Sequence, residues 1–108
     1  MERILITGAS SGFGELTART LLQKGHSVAA TMRQSGSRNA EAAKRLRNVA
    51  AETPGTLYIF DLDITSEPGV NQAVDQALSA MGGIDVAVNN AGWGVAGFME
   101  TVTDAQLL

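Results

Sequence analysis

The chain has no cysteine, which excludes disulfides and thiolate metal sites alike. A single histidine, His26, leaves no imidazole set for a histidine-rich metal centre. Basic residues are outnumbered, 8 Lys and Arg against 11 Asp and Glu. The resulting net charge of -3 argues against a nucleic-acid surface, which requires a basic stripe. No apolar run is long enough to span a bilayer, and the N-terminus lacks the basic-then-apolar pattern of a secretory leader. The expectation is a cytoplasmic protein with no membrane partner. With 108 residues and 44% hydrophobic content, the chain holds at most one ordinary globular domain.

What the chain does have is a glycine-rich turn, Thr7-Gly8-Ala9-Ser10-Ser11-Gly12-Phe13-Gly14. Ile4-Leu5-Ile6 leads into it as a short buried strand. Leu16, Thr20 and Leu21 then recur at helical spacing up to Lys24, and Gly25 supplies the stop. A strand, a glycine turn and a helix N-terminus together form a phosphate cradle, because the first amides of a helix have no partner within it. The glycines allow a tight turn, the approach of a pyrophosphate, and close packing of helix on strand. A tight turn without a ligand is the competing reading, and the flanking strand and helix favour the cradle.

Strands and helices alternate through the rest of the chain. Val28–Met32 reads as a second strand, followed by a polar loop, Arg33–Arg38, and a helix over Ala40–Glu52 with Asn39 as its expected N-cap. Ala43, Leu46, Val49 and Ala50 mark the apolar stripe of that helix, and Glu41 and Arg45 are placed to pair along its outer side. Thr53-Pro54-Gly55 ends it, and Leu57–Phe60 forms a third strand. Ser66 is placed to cap the next helix, with Val70, Ala73, Val74, Ala77, Leu78 and Met81 facing a core. Gly82-Gly83 then leads into a fourth strand, Ile84–Val88. This rhythm predicts right-handed βαβ units and a parallel sheet. Thr103-Asp104-Ala105-Gln106 matches the start of a helix, which leads to the expectation that the sequence is the front portion of a longer protein.

Where such a sheet holds a dinucleotide, the end of the second strand faces the adenosine ribose. An acidic residue there suits the 2′-hydroxyl of NAD, and an arginine suits the 2′-phosphate of NADP. Met32 and Arg33 stand there with no carboxylate beside them, so Arg33 favours NADP over NAD. Arg38 either assists from the same loop or sits in solvent. Asp61 and Asp63 follow the third strand: Asp63 is the candidate for holding the adenine amine, and Asp61 the candidate for tethering a loop. Asn89-Asn90-Ala91-Gly92 follows the fourth strand, where the amides either meet a flat ligand or stitch neighbouring strands together. Trp93 either walls a substrate pocket or covers the sheet.

The TGxxxGxG turn of Thr7–Gly14, Asp63 after the third strand, and the NNAG run of Asn89–Gly92 together resemble the short-chain dehydrogenase/reductase family, classical type. The resemblance covers the whole chain. It implies an α/β, Rossmann-type parallel sheet with helices on both faces, residues 1–108 supplying four of its strands as the NAD(P)-binding portion. It also implies hydride transfer between a nicotinamide and a carbonyl or alcohol substrate. Carried over by motif position, Gly8, Ser10, Ser11, Gly12, Phe13 and Gly14 line the diphosphate, Asp63 and Ile64 meet the adenine, and Asn90, Ala91 and Gly92 pass along the nicotinamide ribose. Arg33 stands where NADP-preferring members carry a basic residue. Members of the family commonly pair through later helices, which implies a homo-oligomer for a longer parent.

The family's proton-transfer machinery is a tyrosine four residues before a lysine, with a serine upstream. Here the one tyrosine, Tyr58, lies within a strand and has Leu62 four residues on, so no catalytic residue is assigned and the chain alone is expected to be inactive. The alternative reading is a non-catalytic dinucleotide-binding or interaction module that functions at this length.

Overall fold

The computed structural model describes residues 1–10, 12–63 and 67–88. Seven elements alternate along them: β1 (Arg3–Ile6), α1 (Gly12–Gln23), β2 (Ser27–Met32), α2 (Ala40–Ala51), β3 (Thr56–Asp61), α3 (Glu67–Met81) and β4 (Val86–Val88). The four strands are parallel in the order β3-β2-β1-β4. The chain therefore steps outward from β1 to β2 to β3, then returns to the far side of β1. Right-handed crossovers in opposite directions put their helices on opposite faces. The core follows that rule.

On one face, Ala18 and Leu22 of α1 and Ala43 and Leu46 of α2 pack on Ile4, Ile6, Val28, Ala30 and Met32. On the other, Val70, Ala73, Val74 and Ala77 of α3 pack on Leu5, Ala29, Leu62 and Ile84. Successive strand residues point to opposite faces, so a strand covered on both sides must be apolar throughout. Leu5, Ile6, Val28, Ala29 and Ala30 are at most 1% exposed, as that requires. The expected α/β fold of Rossmann type, with helices on both faces, is the fold observed.

Four local expectations are corrected. The buried face of α1 is Gly14, Ala18 and Leu22, while Leu16 is 58% exposed and Thr20 faces solvent. Small residues let the start of the helix lie close to the sheet, and the bulky Leu16 is left outside. Asn39 makes no side-chain cap bond to α2; its side-chain amide instead donates to the Arg33 carbonyl. Arg45 turns away from Glu41 to grip Glu15 of α1, donating from Nε to Oε2 (3.0 Å) and from an η nitrogen to Oε1 (2.8 Å). A two-point fork fixes orientation better than a single contact along one helix. The fourth strand is also shorter than expected, with ladder pairing confined to Val86–Val88. The expected Ser66 cap and the Thr103–Gln106 helix start lie outside the described residues.

Two turns set the other ends of the sheet. At the close of α1, Gly25 N–H bonds to the Leu22 carbonyl and His26 N–H to that of Leu21, both at 3.1 Å. This is the Schellman arrangement, which satisfies carbonyls that the helix leaves open. At the start of β4, Asp85 accepts from Arg3 Nε (3.0 Å), an Arg3 η nitrogen (2.9 Å) and Arg3 N–H (2.9 Å), and Asp85 N–H donates to the Arg3 carbonyl (2.8 Å). That clamp docks the α3–β4 turn against β1 and holds the Asp85 carboxyl down to about 2.

Candidate functional site

All four strands end at the same edge of the sheet, and β1 and β4 lie where the strand order reverses. In open parallel sheets this reversal opens a crevice outside the carboxyl ends of the strands, where ligands settle. The glycine turn lies there. It is tied on both sides: Thr7 N–H donates to the Val88 carbonyl (3.0 Å) and Ala9 N–H to the Thr31 carbonyl (3.0 Å). Beneath it the buried Thr31 hydroxyl donates to the Ile6 carbonyl at 2.7 Å. The ends of β1, β2 and β4 are thus joined under one turn.

Gly8 and Gly12 have φ values of 67° and 60°, in the left-handed region that side chains penalise. Among the described residues, its chain neighbours and its own helix aside, no heavy atom lies within 4 Å of where a Gly12 Cβ would stand, so the space there is open. Gly14, by contrast, is buried against the sheet. The Phe13 side chain is 78% exposed. Ser10 is half-buried, and Ser11 lies outside the described residues. Glu15 is the one acidic residue in the first turn of α1, and the Arg45 guanidinium keeps its carboxyl below the ordinary carboxylate range. That negative charge is accordingly countered from α2.

Arg33 and Asp63 line one hollow of about 310 Å³ at the ends of β2 and β3, with Gln34, Asp61, Leu62, Gly69 and Gln72. Leu62 N–H continues the pairing one step beyond the strand by donating to the Met32 carbonyl (2.9 Å), and its side chain is buried. Arg33 is exposed and Asp63 half-buried. Asp61 does tether a loop: its Oδ1 accepts from Ser35 N–H at 2.9 Å. The Ser35 side chain and then this N–H hold the Asp61 carboxyl below its ordinary value. Ile64, Asn90, Ala91, Gly92 and Trp93 lie outside the described residues.

Sequence reasoning missed Gln34, at φ 49° the single non-glycine residue with positive φ among the described residues. No residue-type signal marks a glutamine for that conformation. A larger hollow of about 830 Å³ lies along the outer flank of β3 and α3, bounded by Phe60, Pro68, Asn71, Asp75 and Ser79, and touches none of the predicted residues. Tyr58, the one tyrosine, sits in β3 with its ring stacked parallel to that of Phe60, centroids 6.5 Å apart. Among the described residues no cluster of His, Asp and Glu could hold a metal ion, and no helix is long and apolar enough to cross a membrane.

The strand, turn and helix at the switch point belong to an α/β domain of Rossmann type. The chain belongs to the short-chain dehydrogenase family, whose model matches residues 2–108. It is 38% identical over 104 residues to a 3-ketodihydrosphingosine reductase of Bacteroides thetaiotaomicron, covering 96% of this chain and 33% of that protein. It is 35% identical over 89 residues to the NADP-dependent 3-hydroxy acid dehydrogenase YdfG of Escherichia coli K12, covering 82% of this chain and 33% of that one. Among solved structures, the NADH-dependent reductase A1-R′ complexed with NAD superposes with a TM-score of 0.69 at 33% identity, over 85% of this chain and 36% of the other. The chain thus spans about a third of the length of the curated relatives it matches. Relatives of both nicotinamide preferences are represented.

Proposed function

We propose that the chain is the NADP(H)-binding portion of an oxidoreductase that moves hydride between the nicotinamide and a carbonyl or alcohol carbon. Family membership supports the oxidoreductase over the non-catalytic module. The observation that carries the cofactor reading is the turn at the switch point: two glycines at positive φ, with open space at Gly12. The donor set fits a dinucleotide in charge as well, with amides at a helix start for the diphosphate and an exposed guanidinium for a third phosphate.

In this reading the main chain of Gly8, Ser10, Ser11, Gly12, Phe13 and Gly14 receives the diphosphate, and the fork of Arg45 keeps Glu15 from opposing it. Arg33 pairs with the 2′-phosphate, Asp63 and Ile64 hold the adenine, and Asn90, Ala91 and Gly92 follow the nicotinamide ribose. When bound, the coenzyme supplies the hydride, and this segment supplies its position. No residue here is assigned the proton transfer, since Tyr58 lies in β3 with its ring against Phe60 rather than at the carboxyl edge. A carbonyl or alcohol substrate, a homo-oligomeric parent and a cytoplasmic setting complete the proposal.

The preference for NADP rests on Arg33 and on the absence of a carboxylate at the end of β2. Calorimetric titration tests it. Arg33→Ala is expected to weaken NADPH about tenfold to a hundredfold, the worth of a charge-assisted pair, and NADH by less than about twofold. Equal losses for the two coenzymes would remove Arg33 from the 2′-phosphate.

A further inference from the structure

The β2–α2 loop is held in one shape by more than its own backbone. Arg33 is followed by Gln34 in the left-handed region, a conformation that strains a residue with a Cβ and persists only where the surroundings enforce it. Two side chains do the enforcing. Asn39, at the head of α2, donates its amide to the Arg33 carbonyl. Asp61, at the end of β3, accepts Ser35 N–H at 2.9 Å. Two internal bonds close the turn between them, Ser37 N–H and Asn39 N–H both donating to the Gln34 carbonyl, at 3.1 and 3.0 Å. The backbone is thereby pinned on both sides of Gln34, and Arg33 is fixed at the rim of the hollow it shares with Asp63.

We propose that Asp61 and Asn39 are positioning residues for 2′-phosphate recognition, holding the Arg33 loop in its strained, binding-ready form. The inference rests on the NADP reading above and deepens it by naming what presets the arginine. Asp61 has the less obvious role. As a carboxylate beside a phosphate site it would repel the ligand, and a reading from charge alone has its removal tighten NADP. The geometry reverses that sign, because the carboxylate is engaged with Ser35 and its loss frees the loop. Ordering the loop at the moment of binding then costs affinity that the native protein does not lose. The low titration of the Asp61 carboxyl, set by its bonds to Ser35, is consistent with this engagement.

The test uses 2′,5′-ADP and 5′-AMP as probes, which differ in the 2′-phosphate alone, titrated against the purified protein and three variants. Asp61→Ala is expected to weaken 2′,5′-ADP about fivefold to tenfold, the net worth of one ordinary hydrogen bond, with 5′-AMP unchanged within about twofold. Asp61→Asn keeps a carbonyl that can accept Ser35 N–H and is expected to stay within about twofold of the parent for both probes. Unchanged 5′-AMP affinity reports that the adenosine site is still folded. Arg33→Ala serves as the control for the underlying reading: if it leaves 2′,5′-ADP binding intact, the NADP reading fails. If Arg33→Ala loses the discrimination while Asp61→Ala keeps or sharpens it, the reading stands and the positioning role is overturned. An Asp61→Asn variant as impaired as Asp61→Ala would also overturn it, since the acceptor would then not be what matters.

Discussion

Gly55 is where a single methyl group should most disturb the sheet that carries the site. It lies between α2 and β3, and its N–H donates to the Leu22 carbonyl at 3.0 Å, while the next N–H, of Thr56, reaches the His26 carbonyl at 3.1 Å. A Cβ placed on Gly55 would stand 2.7 Å from both Leu22 Cα and Leu22 O, and 2.8 Å from His26 O. Carbon atoms pack at about 3.5–4.0 Å, so the overlap is close to 1 Å and is against backbone, which cannot rotate away. Relief requires the entry to β3 to move off the end of α1. Overpacking of this kind costs about 1–3 kcal/mol, and stretching the two hydrogen bonds adds about 1 kcal/mol, offset by roughly 0.4–1 kcal/mol because alanine restricts the unfolded chain. The net expectation for Gly55→Ala is a loss of about 1–3.5 kcal/mol, read as a lowered urea midpoint at constant slope. Gly36 provides the control. Among the described residues, its chain neighbours aside, no heavy atom lies within 4 Å of its Cβ position, so Gly36→Ala should be neutral or slightly stabilising. Equal midpoints for the two variants would refute the close-contact reasoning and, with it, the account of how β3 is held in register beside β2.

Two further outcomes follow from the ends of the strands. Thr31→Val removes a buried hydroxyl that donates to the Ile6 carbonyl at 2.7 Å, and should cost about 1 kcal/mol in denaturant unfolding; no loss would mean that the bond adds nothing to the ladder. Asp85 titrates near 2 in the folded chain instead of 3.8, a depressed value, so the clamp on Arg3 stabilises fully above pH 4 and is lost as the pH falls from about 4 toward 2. Asp85→Asn should therefore be less stable than the parent near neutrality, with the gap closing across that window, and a gap independent of pH would contradict the assignment.

Most of the architecture was legible because it depends on local pattern. Continuous apolar runs such as Val28–Met32 can be satisfied only by burial on both faces, and the glycine turn announces the helix that follows it. The face of α1 was not legible, since Leu16 offers helical periodicity as good as that of Ala18 and Leu22, and only the closeness of the sheet selects the smaller residues. Pairings across long separations were equally hidden: Arg45 chose Glu15 on another helix over Glu41 on its own, and Arg3 meets Asp85 from the opposite end of the described chain. At the site, Arg33 and Asp63 could be placed together because each follows a strand end. The twist at Gln34, and the two side chains that impose it, depend on the path of a polar loop that no periodicity governs.

The central claim is that the amides at the head of α1 receive a dinucleotide's diphosphate through the space left at Gly12. Calorimetric titration of the protein and of Gly12→Val with NADPH and NADH measures it directly. Among the described residues, its chain neighbours and its own helix aside, no atom lies within 4 Å of a Cβ at this position, so the fold should persist with a loss of about 2 kcal/mol for the left-handed backbone. The account predicts that the parent binds both coenzymes, NADPH the tighter, and that a folded Gly12→Val binds neither. A folded parent with no affinity for either coenzyme, or a variant that binds as the parent does, would contradict it.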